Sequence, residues 1–246
     1  MDRSGVQSIS RAFEVLEALA EGGPMSLSQL ATAVDLPLTT AHRLIGSLTT
    51  LGYVVGDPAK HYSLAPRLMH LGERAGRMLS RWAVPHLTTV VDEVGETANL
   101  AMLDGDQVVY VAQVQSGHSM RMFMEVGRRV HAHCTAVGKV LLARLPAEDV
   151  TAMARRSGLP AQTEHTLTTL PELTAALDQA RTSGYALDEG EQEVGVRCVA
   201  VAVTGSTMPL AISVSGPAPR MTDDLVARAV PALTAAAASL AADLGG

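Results

Sequence analysis

Cysteine is scarce: Cys134 and Cys198 are the only two in 246 residues. Two thiols so far apart in sequence make no disulfide framework, and they fit a reducing compartment. No uninterrupted apolar run approaches the ~18 residues of a membrane span. The opening MDRSGVQSIS is polar and lacks the apolar stretch of a secretory signal, so a cytoplasmic chain with no membrane partner is expected. A basic surplus is missing too. The formal net charge is -6, and the acidic excess lies wholly after Ser80; before it, seven Lys/Arg meet seven Asp/Glu. That balance removes a purely electrostatic case for nucleic acid and leaves the placement of single cations to decide. There is no internal repeat, no low-complexity linker, no Cys-x-x-Cys or His-x-x-x-His, and no Gly-x-Gly-x-x-Gly after a strand. Gly138-Lys139 is not a phosphate loop, because the flanking positions that need Gly and Ser/Thr hold His133 and Val140.

What is present begins with three short helical patterns. Ile9, Phe13, Leu16 and Leu19 mark one face of a first helix, which Gly22-Gly23-Pro24 stops. Ser26 is a good N-cap for a second, with Leu27, Leu30 and Val34 facing inward and Pro37 closing the turn. The third, Leu38 to Leu51, carries Leu44, Ile45, Leu48 and Leu51 in its body. Three helices with a three- to four-residue turn between the last two have the layout of a helix-turn-helix. GYVVGDPAKHYSLAP then reads as a β-hairpin around Asp57-Pro58. Helical periodicity returns over Arg67 to Arg81, and a separate helix is expected from Trp82 to about Val94.

Beyond that point helices interleave with mostly antiparallel strands. Strands are expected at Thr97 to Leu103, Gln107 to Gln115, Met120 to Glu125, Cys198 to Thr204 and Leu210 to Val214. Helices are expected at Ala136 to Arg144, Glu148 to Ser157, Pro171 to Ser183, and from Thr222 onward. The fold class is therefore α+β in two domains. The expected division is residues 1–65 for a winged helix-turn-helix, 66–81 for a linker helix and 82–246 for an α/β domain.

The third helix keeps its short polar side chains and its one strong cation in its first two turns. In a helix-turn-helix that end meets the base edges of the major groove while later turns pack inside. Thr39, Thr40, His42 and Arg43 are thus candidates for contact with double-stranded DNA, Arg for guanine and the Thr methyl for thymine. Ser47 is a candidate phosphate contact, Ser26 a further DNA-binding candidate, and Lys60 and His61 would sit on the wing. The alternative is a trihelical module that binds protein, with Thr39 and Thr40 as caps.

In the second half, HCTAVGK reads as a strand-to-helix turn whose exposed amides around Ala136, Val137 and Gly138 suit an anion; the alternative is capping by Thr135 alone. Ser213 and Ser215 share a strand face, with Cys198 on the preceding strand. Together with Asp188 they would supply side chains to a small polar ligand, unless the serines merely fill core. Leu100, Met102, Met122 and Met124 would wall that space. His131, His133, Cys134 and Cys198 contain zinc-ligand chemistry, with both histidines on one strand face. Cys198, a histidine and Asp188 contain nucleophile chemistry, without a local signature around the thiol. Neither spacing supports an enzyme, and no cofactor is implied.

Six blocks in order carry a resemblance: VQSISRAFEVLEALAEGG, LPLTTAHRLIGSLTTLGYV, YSLAPRLMHLG, AHCTAVGKVLLA, SGYALDEGEQEVGVRCVAVAV and AISVSGP. They resemble the IclR family of bacterial transcriptional regulators over nearly the whole chain. The resemblance implies a winged helix-turn-helix, a linker helix and a GAF-like effector-binding domain, in a homodimer or homotetramer on operator DNA. Within the family the pattern looks most like regulators of allantoin and glyoxylate use. For those it implies a small carboxylate effector held by amides at Thr135, Ala136, Val137 and Gly138 and by Asp188, Cys198, Ser213 and Ser215. Ala136 and Val137 are bulkier here than the Gly-Ala pair of that pattern.

Overall fold

The computed structural model describes residues 6–122 and 124–245, in two compact units divided after Ala75. The first unit holds α1 (Gln7–Gly22), β1 (Met25–Ser26), α2 (Leu27–Ala33), α3 (Leu38–Thr50), β2 (Val54–Gly56) and β3 (His61–Leu64). Ser26 starts α2 with a full capping box: its side chain accepts the Gln29 N–H, and the Gln29 side chain accepts the Ser26 N–H. Asp35 turns the chain toward α3 with φ 47°, a left-handed conformation that Asp tolerates better than most residues. The strands form a small antiparallel sheet in the order β1-β3-β2, with Val54 opposite Leu64 and Met25 opposite Tyr62.

Val15, Leu19, Leu30, Ile45, Leu48 and Val54 make this unit's core. Two details differ from the periodicity. The inward face of α1 is Ala12, Val15, Leu16 and Leu19, while Ile9 and Phe13 are more than half exposed. Small Ala12 and Val15 allow α1 to approach α3 and β3, and the stripe rotates by about one residue as a result. Leu51, at the end of α3, is also exposed.

The helices expected at 66–81 and from Trp82 are one, α4 (Arg67–Val94), which continues through Pro85. A proline removes a single helical hydrogen bond. Buried Ala83, Leu87, Val90 and Val94 on either side keep the helix seated. After α4 come β4 (Thr97–Asp104), β5 (Gln107–Val114), β6 (Arg129–His131), a 3-10 turn (Ala132–Cys134), α5 (Ala136–Leu142), α6 (Ala147–Ser157), α7 (Leu170–Ser183), β7 (Ala186–Glu189), β8 (Val196–Ala202), β9 (Leu210–Pro217) and α8 (Asp223–Gly245). The six strands form one antiparallel sheet in the order β6-β5-β4-β9-β8-β7. The described residues of 120–125 form no strand; Phe123 lies outside them.

Each face of this sheet has its own core. Val199, Val201, Ile212, Val214, Leu100 and Met102 pack against the C-terminal part of α4 and against α8. Ala101, Val108, Tyr110, Ala186, Ala200 and Ala211 pack against α5, α6 and α7. By length and composition α8 is apolar enough to cross a membrane. Its Val226, Ala229, Leu233, Ala236, Ala237 and Leu240, however, are buried against the sheet.

Candidate functional site

The start of α3 presents a continuous outer surface. Leu38, Thr39, His42 and Arg43 are exposed and, with Leu27 of α2, border one shallow concavity. Thr40 is half-buried, and Ala41, Ile45 and Leu48 turn inward. The two serines are less free. Ser26 donates its hydroxyl to Gln29 Oε1 (2.9 Å) within the capping box, and Ser47 donates to the Arg43 carbonyl of its own helix (3.0 Å).

The wing turns at Asp57–Lys60. Asp57 Oδ1 accepts the His61 N–H (2.8 Å), and Asp57 Oδ2 lies 3.6 Å from His61 Nδ1, so His61 is tied to an acid at the tip. Lys60 is exposed, with φ 65°. A β-carbon in that left-handed region costs about 1 kcal/mol relative to glycine. Lys60→Gly should therefore leave the thermal midpoint level or slightly raised, while the salt slope of DNA binding falls by about one. Salt-series anisotropy checks this; an unchanged slope would remove Lys60 from the interface.

In the second unit, sheet register does what sequence distance hides. Asp188 of β7 pairs with Cys198 of β8, Cys198 with Ser215 of β9, and Ser215 with Thr97 of β4. One step along, Ala200, Ser213, Asn99 and Gln113 form the next row. Asn99 Nδ2 donates to Ser213 Oγ (3.4 Å) and Ser215 Oγ (3.3 Å), and Gln113 Nε2 donates to Asn99 Oδ1 (2.9 Å). Over these rows lies a cavity of about 20 Å³, bordered by Asn99, Tyr110, Gln113, Asp188, Cys198 and Ser215 from the sheet. Val196 at the start of β8 also borders it, and Met122, Met124, Gln192 and Glu193 close it. That volume holds about one water molecule.

Leu100 and Met102, expected in this wall, lie on the opposite face, because alternation along β4 sends them toward α8. Asn99, Tyr110, Gln113 and Gln192 were not among the expected residues. Asn99 had a signal, a polar residue in register with Thr97 inside the apolar run TANLAML; the other three had none.

Burial sets the chemistry here. It pushes the Asp188 carboxyl up to about 7, partly offset by the Glu191 N–H donated to Oδ1 (2.7 Å). It also raises the Cys198 thiol and the Tyr110 phenol well above their usual ranges. Beneath the turn after β7, Lys139 of α5 and Glu191 form a buried ion pair. Thr163 and Thr166 donate to the Gly190 carbonyl (2.7 Å) and the Glu191 carbonyl (2.6 Å), which pins that turn in place.

The start of α5 departs from the sequence reading. Thr135, Ala136, Val137 and Gly138 are buried rather than exposed and do not border the cavity. Thr135 Oγ1 already accepts the Gly138 N–H (3.1 Å). Gly138 is there for packing: a β-carbon on it would fall 2.0 Å from the Ala132 carbonyl oxygen.

The zinc set does not assemble. The strand ends at His131, so the 3-10 turn takes His133 and Cys134 off a common strand face. His133 Nε2 donates to the Pro160 carbonyl (3.2 Å), and Cys134 Sγ donates to Gln192 Oε1 (3.0 Å). Among the described residues no group of three or more His, Cys, Asp or Glu is placed to hold a metal ion. Burial keeps the Cys134 thiol protonated, pushed up to about 12, and holds His133 below its ordinary value. That is the reverse of an activated thiol-imidazole pair.

A winged helix-turn-helix followed by a sheet with a small cavity over one face defines the class of DNA-binding regulators that carry a sensor domain. The family models agree: residues 8–58 match the IclR helix-turn-helix domain and residues 76–242 the bacterial transcriptional regulator IclR C-terminal domain. The chain belongs to the IclR family. It is 36% identical over 230 residues to the transcriptional repressor IclR of Escherichia coli, covering 90% of this chain and 84% of that one. It is 33% identical over 229 residues to the HTH-type transcriptional repressor AllR of Klebsiella pneumoniae, with coverage of 90% and 84%. The crystal structure of the Thermotoga maritima IclR matches with a TM-score of 0.67 at 27% identity, over 97% of this chain and 99% of that one.

Proposed function

We propose that this protein is a ligand-responsive repressor whose N-terminal unit binds operator DNA and whose C-terminal unit binds a small carboxylate. The observation that carries the DNA half is the exposed face of Thr39, His42 and Arg43 at the start of α3, with Lys60 projecting from the wing. Such a tip is built for the major groove, where Arg pairs bidentately with guanine. The repressor sign is taken from relatives named as repressors.

The effector half is supported by Asp188, Cys198 and Ser215 meeting in one cavity, with Ser213 held beside them through Asn99. Glyoxylate or a ureido acid of the allantoin pathway is the first class, an aromatic or sugar acid the next. Met122 and Met124 have the flexible side chains able to withdraw and admit it. The exposed apolar residues Phe13, Leu71 and Met78 would serve a homodimer or homotetramer. Release requires only that the effector favour one of two conformations over the other.

Arg43→Ala tests the DNA half, against a duplex selected by the wild-type protein from a randomised pool. Affinity should fall by about 10- to 100-fold, or ~1–3 kcal/mol, with relaxed preference at one base pair. Because Arg43 is exposed, the thermal midpoint should not move. Unchanged affinity would displace the recognition helix from this role.

A further inference from the structure

Among the described residues the effector cavity is bordered by two carboxylates, Asp188 and Glu193, and by no lysine, arginine or histidine. We propose, on the reading that the effector is a carboxylate, that it enters together with one proton from solvent. The proton settles on Asp188 Oδ2, and the protonated side chain then donates a hydrogen bond to the ligand.

Among the described residues, the surroundings of Asp188 hold no other source of charge balance. From α5 it faces Lys139, which is already closed on Glu191. From the turn after β7 it faces Glu191, another acid, and the amides of Glu191 and Gln192. Cys198 of β8, Cys134 of the 3-10 turn and Tyr110 of β5 also face it, and burial keeps all three neutral. A ligand carboxylate admitted against this wall would lie beside an ionised Asp188, with no cation among the described residues that border the cavity. Like charges at that range cannot both stay ionised cheaply.

Asp188 Oδ1 is held by the Glu191 N–H (2.7 Å), which leaves Oδ2 for the proton. Burial has already moved this carboxyl up to about 7, so near neutral pH the proton is readily taken. The sign follows. Below about pH 7 Asp188 is protonated before binding and affinity is level; above it the proton must come from water, and affinity falls about tenfold per pH unit.

Calorimetry on the full chain decides, with glyoxylate and allantoate as anionic probes and glycolamide as a neutral one, in buffers of different ionisation enthalpy. Expected at pH 8 is uptake of close to one proton per anion bound and none with glycolamide. Asp188→Asn keeps the Oδ1 acceptor; it should bind the anions without uptake and with equal affinity at pH 6 and pH 8. Anion binding with buffer-independent heat in the wild type overturns the proton step and leaves the carboxylate reading standing. Binding of glycolamide alone, or of none of the three between pH 6 and pH 8, overturns that reading and the proton step with it. The wild-type buffer series is decisive even where the variant fails to fold.

Discussion

Gly138→Ala is expected to unfold the C-terminal unit near physiological temperature. The added β-carbon would meet the Ala132 carbonyl oxygen at 2.0 Å and its carbonyl carbon and Cα at 2.5 Å. All three are backbone atoms, so no rotamer change relieves the clash. Either α5 or the 3-10 turn must move, and with it the Thr135 cap and the Lys139–Glu191 pair. Overpacking that side chains can absorb costs about 1–3 kcal/mol. A backbone clash lies above that range, against a total stability of about 5–15 kcal/mol. A fall of about 10 °C or more in the thermal midpoint is expected, since ~1 kcal/mol moves a chain of this size by about 2–4 °C. Gly46→Ala is the control. Nothing lies within 4 Å of its added carbon, and a helical Gly to Ala change is neutral or favourable. Equal midpoints for the two variants would refute the close approach of α5 to the 3-10 turn.

Lys139→Met carries the second large effect. It leaves the Glu191 carboxylate buried without its cation, and Glu191 Oε2 already has no hydrogen-bond partner among the described residues. Removing one member of a buried pair costs about 3–5 kcal/mol, whereas replacing both with apolar residues is often neutral. Lys139→Met should therefore lower the urea midpoint sharply, and Lys139→Met combined with Glu191→Met should recover most of the loss. Thr163 and Thr166 hold the turn through carbonyl groups that neither change removes. A double variant no more stable than the single one would show that the pair matters for its shape rather than its charge.

The site was unevenly legible in the sequence. Ser26, Pro37 and the apolar spacing of α3 specify a helix-turn-helix locally, and Asp57-Pro58 marks the wing, so the polar tip could be read directly. At Ala136–Gly138 the same local reading missed the burial of the turn and the Thr135 cap on Gly138. A Gly before a Lys at a helix start looks like an open anion cradle until the Ala132 backbone is seen against it. Along β4 the alternation was visible, but its sense was not. Which of Asn99 and Leu100 faces the cavity depends on pairing with β9, and a slip of one residue would exchange them.

By itself the sequence determined the three helices of the first unit, the Ser26 cap, the wing turn and the family. These rest on neighbours within a few residues, or on six blocks in fixed order. Only the tertiary structure decided that Asn99, Tyr110, Gln113, Asp188, Cys198 and Ser215 share one wall, and that Lys139 is spent on Glu191. Those contacts join strands from distant parts of the chain, and strand order and register are set by whole faces packing together.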